Sequence, residues 1–184
     1  MKKVLMIVGS LREQSFNCQL ANKAAALIGN SVEVTYLNYA DLPFMNQDIE
    51  FPTPEPVQRV REQVLAADGI WLFTPEYNSS YPGVLKNLLD WLSRPLTPGG
   101  VMGSTAISGK KVAISGAAGR SAAAGSREKL AELLSFIRTN VMEGAGVGVS
   151  LGRESYQSNV LHLSEEQEAA LQAQAEAFLN FLES

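Results

Sequence analysis

The chain has 184 residues, enough for one domain that buries roughly 70% of its unfolded surface. A formal charge of −4 argues against a nucleic-acid partner or a polybasic membrane contact. No apolar run approaches the roughly 20 residues that insertion into a bilayer requires, the run behind Lys2 and Lys3 is too short for a secretory signal, and a lone cysteine excludes an internal disulfide or a thiolate metal cluster; a cytoplasmic location is expected.

Val4 to Val8 is a short apolar run that reads as a fully buried strand. It stops at Gly9, and Ser10, Arg12, Gln14, Ser15 and Asn17 then supply groups able to bond an anion. A helix follows, because Phe16, Leu20, Ala24, Leu27 and Ile28 recur on one face. Cys18 falls in its first turns and reads as small helix packing. Strand, polar loop and helix N-terminus together make an anion site, since first-turn N–H groups are unpaired and the dipole end is positive. A phosphomonoester carries roughly −1.5 to −2 charge at neutral pH. One guanidinium and the helix end offset most of that, and Ser15 and Asn17 add neutral donors. An ordinary strand-to-helix turn, with Ser15 or Asn17 as N-cap, would use the same residues. The loop is neither a Walker A, lacking Gly-Lys-Ser/Thr, nor a dinucleotide turn, since only Gly9 is glycine.

Residues 32–37 read as a second strand, and the proline-bearing stretch 39–56 as loop. Val57, Val60 and Val64 mark the inner face of a helix over 57–67. Residues 70–74 form a third strand ended by Pro75. Gly83 to Leu92 follows as a helix, with Leu85, Leu88, Leu89 and Leu92 on one stripe. Residues 95–110 carry two prolines and four glycines and read as a mobile excursion. Residues 111–115 read as strand, 116–125 as a small-residue loop, and 126–138 as a helix burying Leu130, Leu133, Leu134 and Ile137. A fifth strand is expected at 147–151. His162 stands alone before the last helix, reads as a surface residue and supports no Ser/His/Asp triad. Ser164 with Gln167 is a capping box, and Leu171, Ala175, Phe178, Leu179 and Leu182 form the last apolar face.

Strands and helices alternate without repeat or linker. That is one doubly wound α/β domain over 1–184, a five-stranded parallel sheet with helices on both faces. Ligands in such folds lie at the carboxyl ends of the strands, so loops 9–17, 74–83 and 115–125 are expected to meet. In the second, Pro75 stiffens the backbone, Glu76, Tyr77 and Asn78 offer backbone N–H groups, and Tyr77 offers an aromatic ring to a planar ligand. In the third, Ser115, Gly116 and Gly119 leave almost no side-chain bulk, so backbone can approach that ligand. The three loops describe a phosphate at one end, a flat ring at the other, and an edge held by backbone.

Gly9-Ser10-Leu11-Arg12 with Ser15-Phe16-Asn17, then Pro75-Glu76-Tyr77-Asn78, then Pro82-Gly83-x-Leu85-Lys86-Asn87-x-x-Asp90-Trp91 resemble the NADPH-dependent FMN reductase family, which includes quinone, azo-dye and chromate reductases. The resemblance covers nearly the whole chain in order and spacing. It implies a flavodoxin-like fold with strand order 2-1-3-4-5, bound FMN, NADPH or NADH as reductant, a small-molecule acceptor, and a homodimer or homotetramer. It places Ser10, Arg12, Ser15, Asn17 and the Phe16 backbone at the FMN phosphate. Pro75, Glu76, Tyr77 and Asn78 line the ribityl chain and ring edge, with Ser115, Gly116 and Gly119 beside the ring. The implied reaction is a ping-pong two-electron transfer. It requires no protein acid or base, so no catalytic residue is assigned, although Glu76 invites that reading. Trp91 and Arg94 are candidates for a subunit interface, Trp91 equally for plain core. The glycine-rich stretch 97–109 is longer than the family's usual connection. A flavodoxin-type electron carrier is the main alternative, and a phosphate-ligand sensor that lost the flavin is another. The Gly/Ala-rich third loop and modest charge favour an open ring and a turnover enzyme.

Overall fold

The computed structural model of the chain describes residues 1–101, 104–144 and 146–184. β1 (Lys3–Val8) is hydrogen-bonded in parallel to β2 (Glu33–Tyr36) on one side and to the central β3 (Gly69–Thr74) on the other. β3 continues to β4 (Lys111–Ala118), which gives the flavodoxin-like order β2-β1-β3-β4. Both faces of this sheet are covered, so β1 and β3 are continuous apolar runs rather than alternating ones. Their side chains still alternate in direction. Leu5, Ile7, Ile70, Leu72, Val112 and Ile114 enter one core, and Val4, Met6, Trp71, Phe73, Ala113 and Ala117 enter the other.

The first core is closed by α2 (Glu55–Ala66), α3 (Gly83–Leu92) and α4 (Ala124–Phe136), the second by α1 (Phe16–Ile28) and α6 (Glu165–Glu183). Phe178 of α6 packs tilted on Trp71 at 5.2 Å between ring centroids. Its complete burial contributes roughly 1.5–3 kcal/mol. The Ser164 capping box starts α6 as expected. Leu27, expected inward, is 40% exposed, because α1 turns Ala21 and Ala24 to the sheet instead. Among the described residues no helix is long and apolar enough to cross a membrane.

Three expectations need correction. The fifth strand is two segments, β5 (Asn140–Val141) and β6 (Val147–Ser150), both parallel to β4. Between the pairings Val112↔Val141 and Ser115↔Val147 the register against β4 changes, so the edge strand is split in two. Gly146, at φ 66°, brings its backbone against Ile114 O, where a Cβ would not fit. The stretch 95–110 is not a free excursion. Pro95 bridges Thr105, and Ala106 and Ile107 are buried in the first core; Met102 and Gly103 lie outside the described residues. Trp91 is core, its Nε1 donating to Pro43 O at 2.8 Å, and Arg94 is paired with Glu50 at 2.9 Å.

Candidate cofactor site

The carboxyl ends of β1, β3 and β4 open into a cavity of about 430 Å³ at the point where strand order reverses. Ligands of doubly wound sheets bind at that point. The expected loops meet there: Ser10, Arg12, Ser15, Phe16 and Asn17 form one wall, Pro75, Glu76 and Tyr77 a second, and Ala117, Ala118 and Gly119 a third.

The first wall is built by the start of α1. Ser15 is its N-cap and accepts the Asn17 N–H at 3.2 Å, while Ser15 N–H donates to Arg12 O at 3.0 Å. Helix geometry leaves the Phe16 and Cys18 N–H groups without intrahelical acceptors. No acidic residue lies in this first turn, so nothing opposes the positive dipole end. Arg12 is exposed, its guanidinium 5.0 Å above the Phe16 ring, and Nη1 donates to Asn159 Oδ1 at 2.8 Å. The buried Tyr39 holds the strand end behind the wall by donating to Val8 O at 2.7 Å. Burial pushes its phenol far up, so it stays a donor.

Asn17 has a different role from the one expected. Its side chain is buried. Nδ2 donates to Ala117 O at 3.0 Å, and Oδ1 accepts Ala117 N–H at 2.8 Å. The amide is therefore a strut from first wall to third.

The second wall is a tight hairpin. Tyr77 N–H donates to Ser80 O at 2.9 Å and Ser80 N–H to Tyr77 O at 3.1 Å, with Asn78 and Ser79 at φ 52° and 57°. Positive φ at both central positions is the mirror-image turn that asparagine tolerates. The expected free N–H of Tyr77 is thus occupied, and Asn78 sits at the tip, off the cavity lining. The Tyr77 ring remains 54% exposed beside the cavity. Glu76 turns its carboxylate to the start of α4, where Oε2 accepts Ser126 N–H at 3.0 Å. The α4 N-cap position is Ala123, in the left-handed region and with no capping side chain, so Glu76 caps the helix from another loop. Burial raises the Glu76 pKa; hydrogen bonds from Ser126, Ser121 and Gly125 and the charge of Lys129 outweigh it, and the carboxyl titrates below its ordinary value.

The third wall begins later than expected, because β4 extends to Ala118. Ser115 is buried between Trp71 Nε1, which donates to its Oγ at 2.9 Å, and Gln174 Oε1, which accepts from it at 2.7 Å. A Cβ on Gly116 would stand 2.6 Å from Thr74 O and 2.7 Å from Ala123 Cβ, so this glycine lets β4 pass close to β3 and the start of α4. Neither residue lines the cavity.

A fourth wall was absent from the sequence reading. Leu151, Tyr156 and Asn159 come from α5 (Arg153–Ser158) and its flanks. Tyr156 meets Phe16 edge-to-face at 5.7 Å, and its hydroxyl stands 3.6 Å from where a Gly119 Cβ would lie. The helix has six residues and one buried side chain, Ser155, too short for an apolar period to announce it. The one sequence signal was an asparagine at 159, a residue type that tolerates the left-handed conformation it adopts there.

The model for "NADPH-dependent FMN reductase" matches residues 2–154, most of the chain. This chain belongs to the NADPH-dependent FMN reductase family. The match takes in the first three walls and ends before Tyr156 and Asn159. Among family relatives, an NAD(P)H-dependent FMN reductase of Pseudomonas aeruginosa is 34% identical over 95% of this chain and 92% of its own length. A 2-hydroxy-1,4-benzoquinone reductase of Burkholderia is 41% identical over 56% of this chain, covering only 60% of that protein. The solved structure of FerB, a flavoenzyme NAD(P)H:(acceptor) oxidoreductase from Paracoccus denitrificans, superposes with a TM-score of 0.86 at 32% identity, covering 100% of this chain and 98% of that one. The cavity fits the group for which the family is named: an anion end free of acidic side chains in the first turn of α1, an aromatic ring at Tyr77, and small residues on the third wall.

Proposed function

We propose that this chain is an FMN-dependent NAD(P)H oxidoreductase that reduces quinones or related acceptors two electrons at a time. When bound, FMN would supply the redox chemistry, two-electron exchange between a nicotinamide and the acceptor. The protein supplies binding and orientation. Arg12, the Ser10 and Ser15 hydroxyls and the Phe16 N–H hold the phosphate. Pro75, Glu76 backbone and Tyr77 lie along the ring edge, and Gly119 opens space beside it. Asn17, Ser115 and Gly116 act behind this surface by fixing the third wall, and Asn78 by shaping the hairpin. The observation that carries this reading is the convergence, at the strand-order reversal, of an acid-free helix N-terminus with Arg12 and a cavity of about 430 Å³.

The purified protein is expected to show flavin absorbance, to bleach on anaerobic addition of NADPH, and to recover colour on addition of benzoquinone. Absence of flavin absorbance after incubation with FMN would overturn the proposal. So would a flavoprotein that neither NADPH nor NADH reduces.

The whole of 1–184 is proposed to act as one flavin domain, in the cytoplasm, as a homodimer or homotetramer. Phe44 supports association. It is 88% exposed on a loop pinned from beneath, where Pro43 O accepts from Trp91 Nε1 at 2.8 Å and Asn87 Nδ2 at 3.0 Å. A rigidly presented aromatic suits a subunit contact. Light scattering of Phe44→Ser is expected to give a smaller particle than wild type; an unchanged mass would remove Phe44 from the interface.

A further inference from the structure

Asn159 is far from the first wall in sequence, yet it is tied into it. Its Oδ1 accepts from Arg12 Nη1 at 2.8 Å, its Nδ2 donates to Gln14 Oε1, and its carbonyl accepts from Gln19 Nε2 at 3.1 Å. Gln19 closes the ring of contacts by accepting Leu161 N–H through Oε1 at 2.7 Å. Asn159 itself is left-handed, at φ 58°. The side chain of a residue in that conformation projects differently from that of a helical one, and it reaches back over the loop. Arg12 can only donate, so the Asn159 amide presents its oxygen to Arg12 and its nitrogen to Gln14.

A guanidinium has five N–H donors in a planar fork. Asn159 engages one of them at Nη1 and, among the described contacts, leaves Nε and Nη2 for an anion, with the guanidinium 5.0 Å from the Phe16 ring centroid. A long side chain otherwise loses rotamer freedom when it grips a ligand, and a residue that fixes it beforehand lowers that cost. Building on the flavin reading above, we propose that Asn159 is the positioning residue for Arg12, and that through it the α5–α6 connection makes the site select a phosphorylated flavin over riboflavin. The segment lies beyond residues 2–154, the span that matches the family model.

Two substitutions keep the left-handed backbone and alter only the amide. Asn159→Gly removes it and accepts positive φ without strain. Asn159→Asp keeps its shape but sets a carboxylate against the incoming phosphate and in competition for Arg12. Flavin-stripped wild type, N159G, N159D, R12A and R12A/N159G would be titrated with FMN and with riboflavin, following quenching of flavin fluorescence. The FMN dissociation constant is expected to rise about fivefold in N159G, the size of one net hydrogen bond, and by about tenfold or more in N159D. Riboflavin affinity should stay within about twofold in both, and adding N159G to R12A should change nothing further, as required of a residue that acts through Arg12. Equal loss of FMN and riboflavin binding would make the role a general structural one and overturn the proposal. Unaltered FMN affinity in both variants would overturn it too. Should N159G fail to fold, N159D alone decides on the FMN-to-riboflavin ratio. A wild type that binds neither flavin would overturn the flavin reading and this inference with it.

Discussion

The first and third loops of the cavity look alike on paper, both short, polar or small, and opened by a strand. The structure gives them opposite jobs. In the first, the chain leaves β1 at Gly9 and α1 begins at Phe16, so residues 10–14 have left the sheet, Ser15 caps the helix, and residues 11–14 are exposed. In the third, Ser115 and Gly116 have not left the sheet. Ser115 is a buried hydroxyl between Trp71 and Gln174, and Gly116 is small because Thr74 and Ala123 are close. Small residues at a strand end therefore have two meanings, access for a ligand or close approach of the protein to itself. Only the distance to neighbouring elements separates them.

Gly116→Ala is the most damaging way to test that difference. Its Cβ meets backbone at 2.6 Å and a second Cβ at 2.7 Å, neither of which is a flexible side-chain end. Overpacking of this kind costs about 3 kcal/mol, and urea unfolding should show it with flavin present or absent. Stability close to wild type would mean that β4 and α4 can part at no cost, and Gly116 would return to the ligand surface. Arg12→Ala probes the other loop. Arg12 is exposed and its contacts to Asn159 and Phe16 lie at the surface, so its loss should weaken FMN binding by about 2 kcal/mol while costing the flavin-free protein no more than about 1 kcal/mol of stability. Equilibrium dialysis and urea unfolding measure the two quantities, and unchanged FMN retention would show that the guanidinium does not reach the phosphate.

The sheet was legible because its strands are apolar runs of the right length and its helices carry one apolar stripe each, as with Leu85, Leu88, Leu89 and Leu92 on α3. The first wall was legible for the same reason: Ser15 caps a strongly periodic helix. What stayed hidden was long-range. Nothing local to Asn17 says that its amide will be claimed by Ala117, one hundred residues on. Nothing at Asn87 and Trp91, which the family resemblance singled out, says that they hold Pro43 from below. The glycines of 95–110 suggested mobility, while Ala106 and Ile107 among them plug the first core. The fourth wall failed on length, since a six-residue helix has no period to read.

Glu76 gives the finest test, because sequence offers it to the chemistry and structure gives it to the fold. Its carboxylate serves α4, whose own N-cap position, Ala123, has nothing to contribute. The folded-state pKa lies below the ordinary carboxylate value, with burial opposing and the Ser126, Ser121, Gly125 and Lys129 interactions prevailing. Such a group stabilises fully above its unfolded pKa, near 4.3, and loses that contribution as pH falls through the lower folded value. Glu76→Ala should therefore cost about 1 kcal/mol at pH 7, the worth of a helix cap, and the deficit should shrink as wild-type Glu76 is protonated in acid. Glu76→Gln keeps an acceptor for Ser126 and loses only the charge, so it should cost about half as much. Urea unfolding at pH 7 and pH 3 distinguishes these cases, and a deficit that does not change with pH would mean the carboxylate is not the cap. Stopped-flow reduction of the flavin by NADPH should run within about twofold of wild type in Glu76→Gln, because hydride transfer to a flavin needs no protein acid or base. A fall of a hundredfold, the lower end of what general acid–base catalysis supplies, with flavin still bound, would put Glu76 back into the chemistry and make the helix cap the lesser of its two roles.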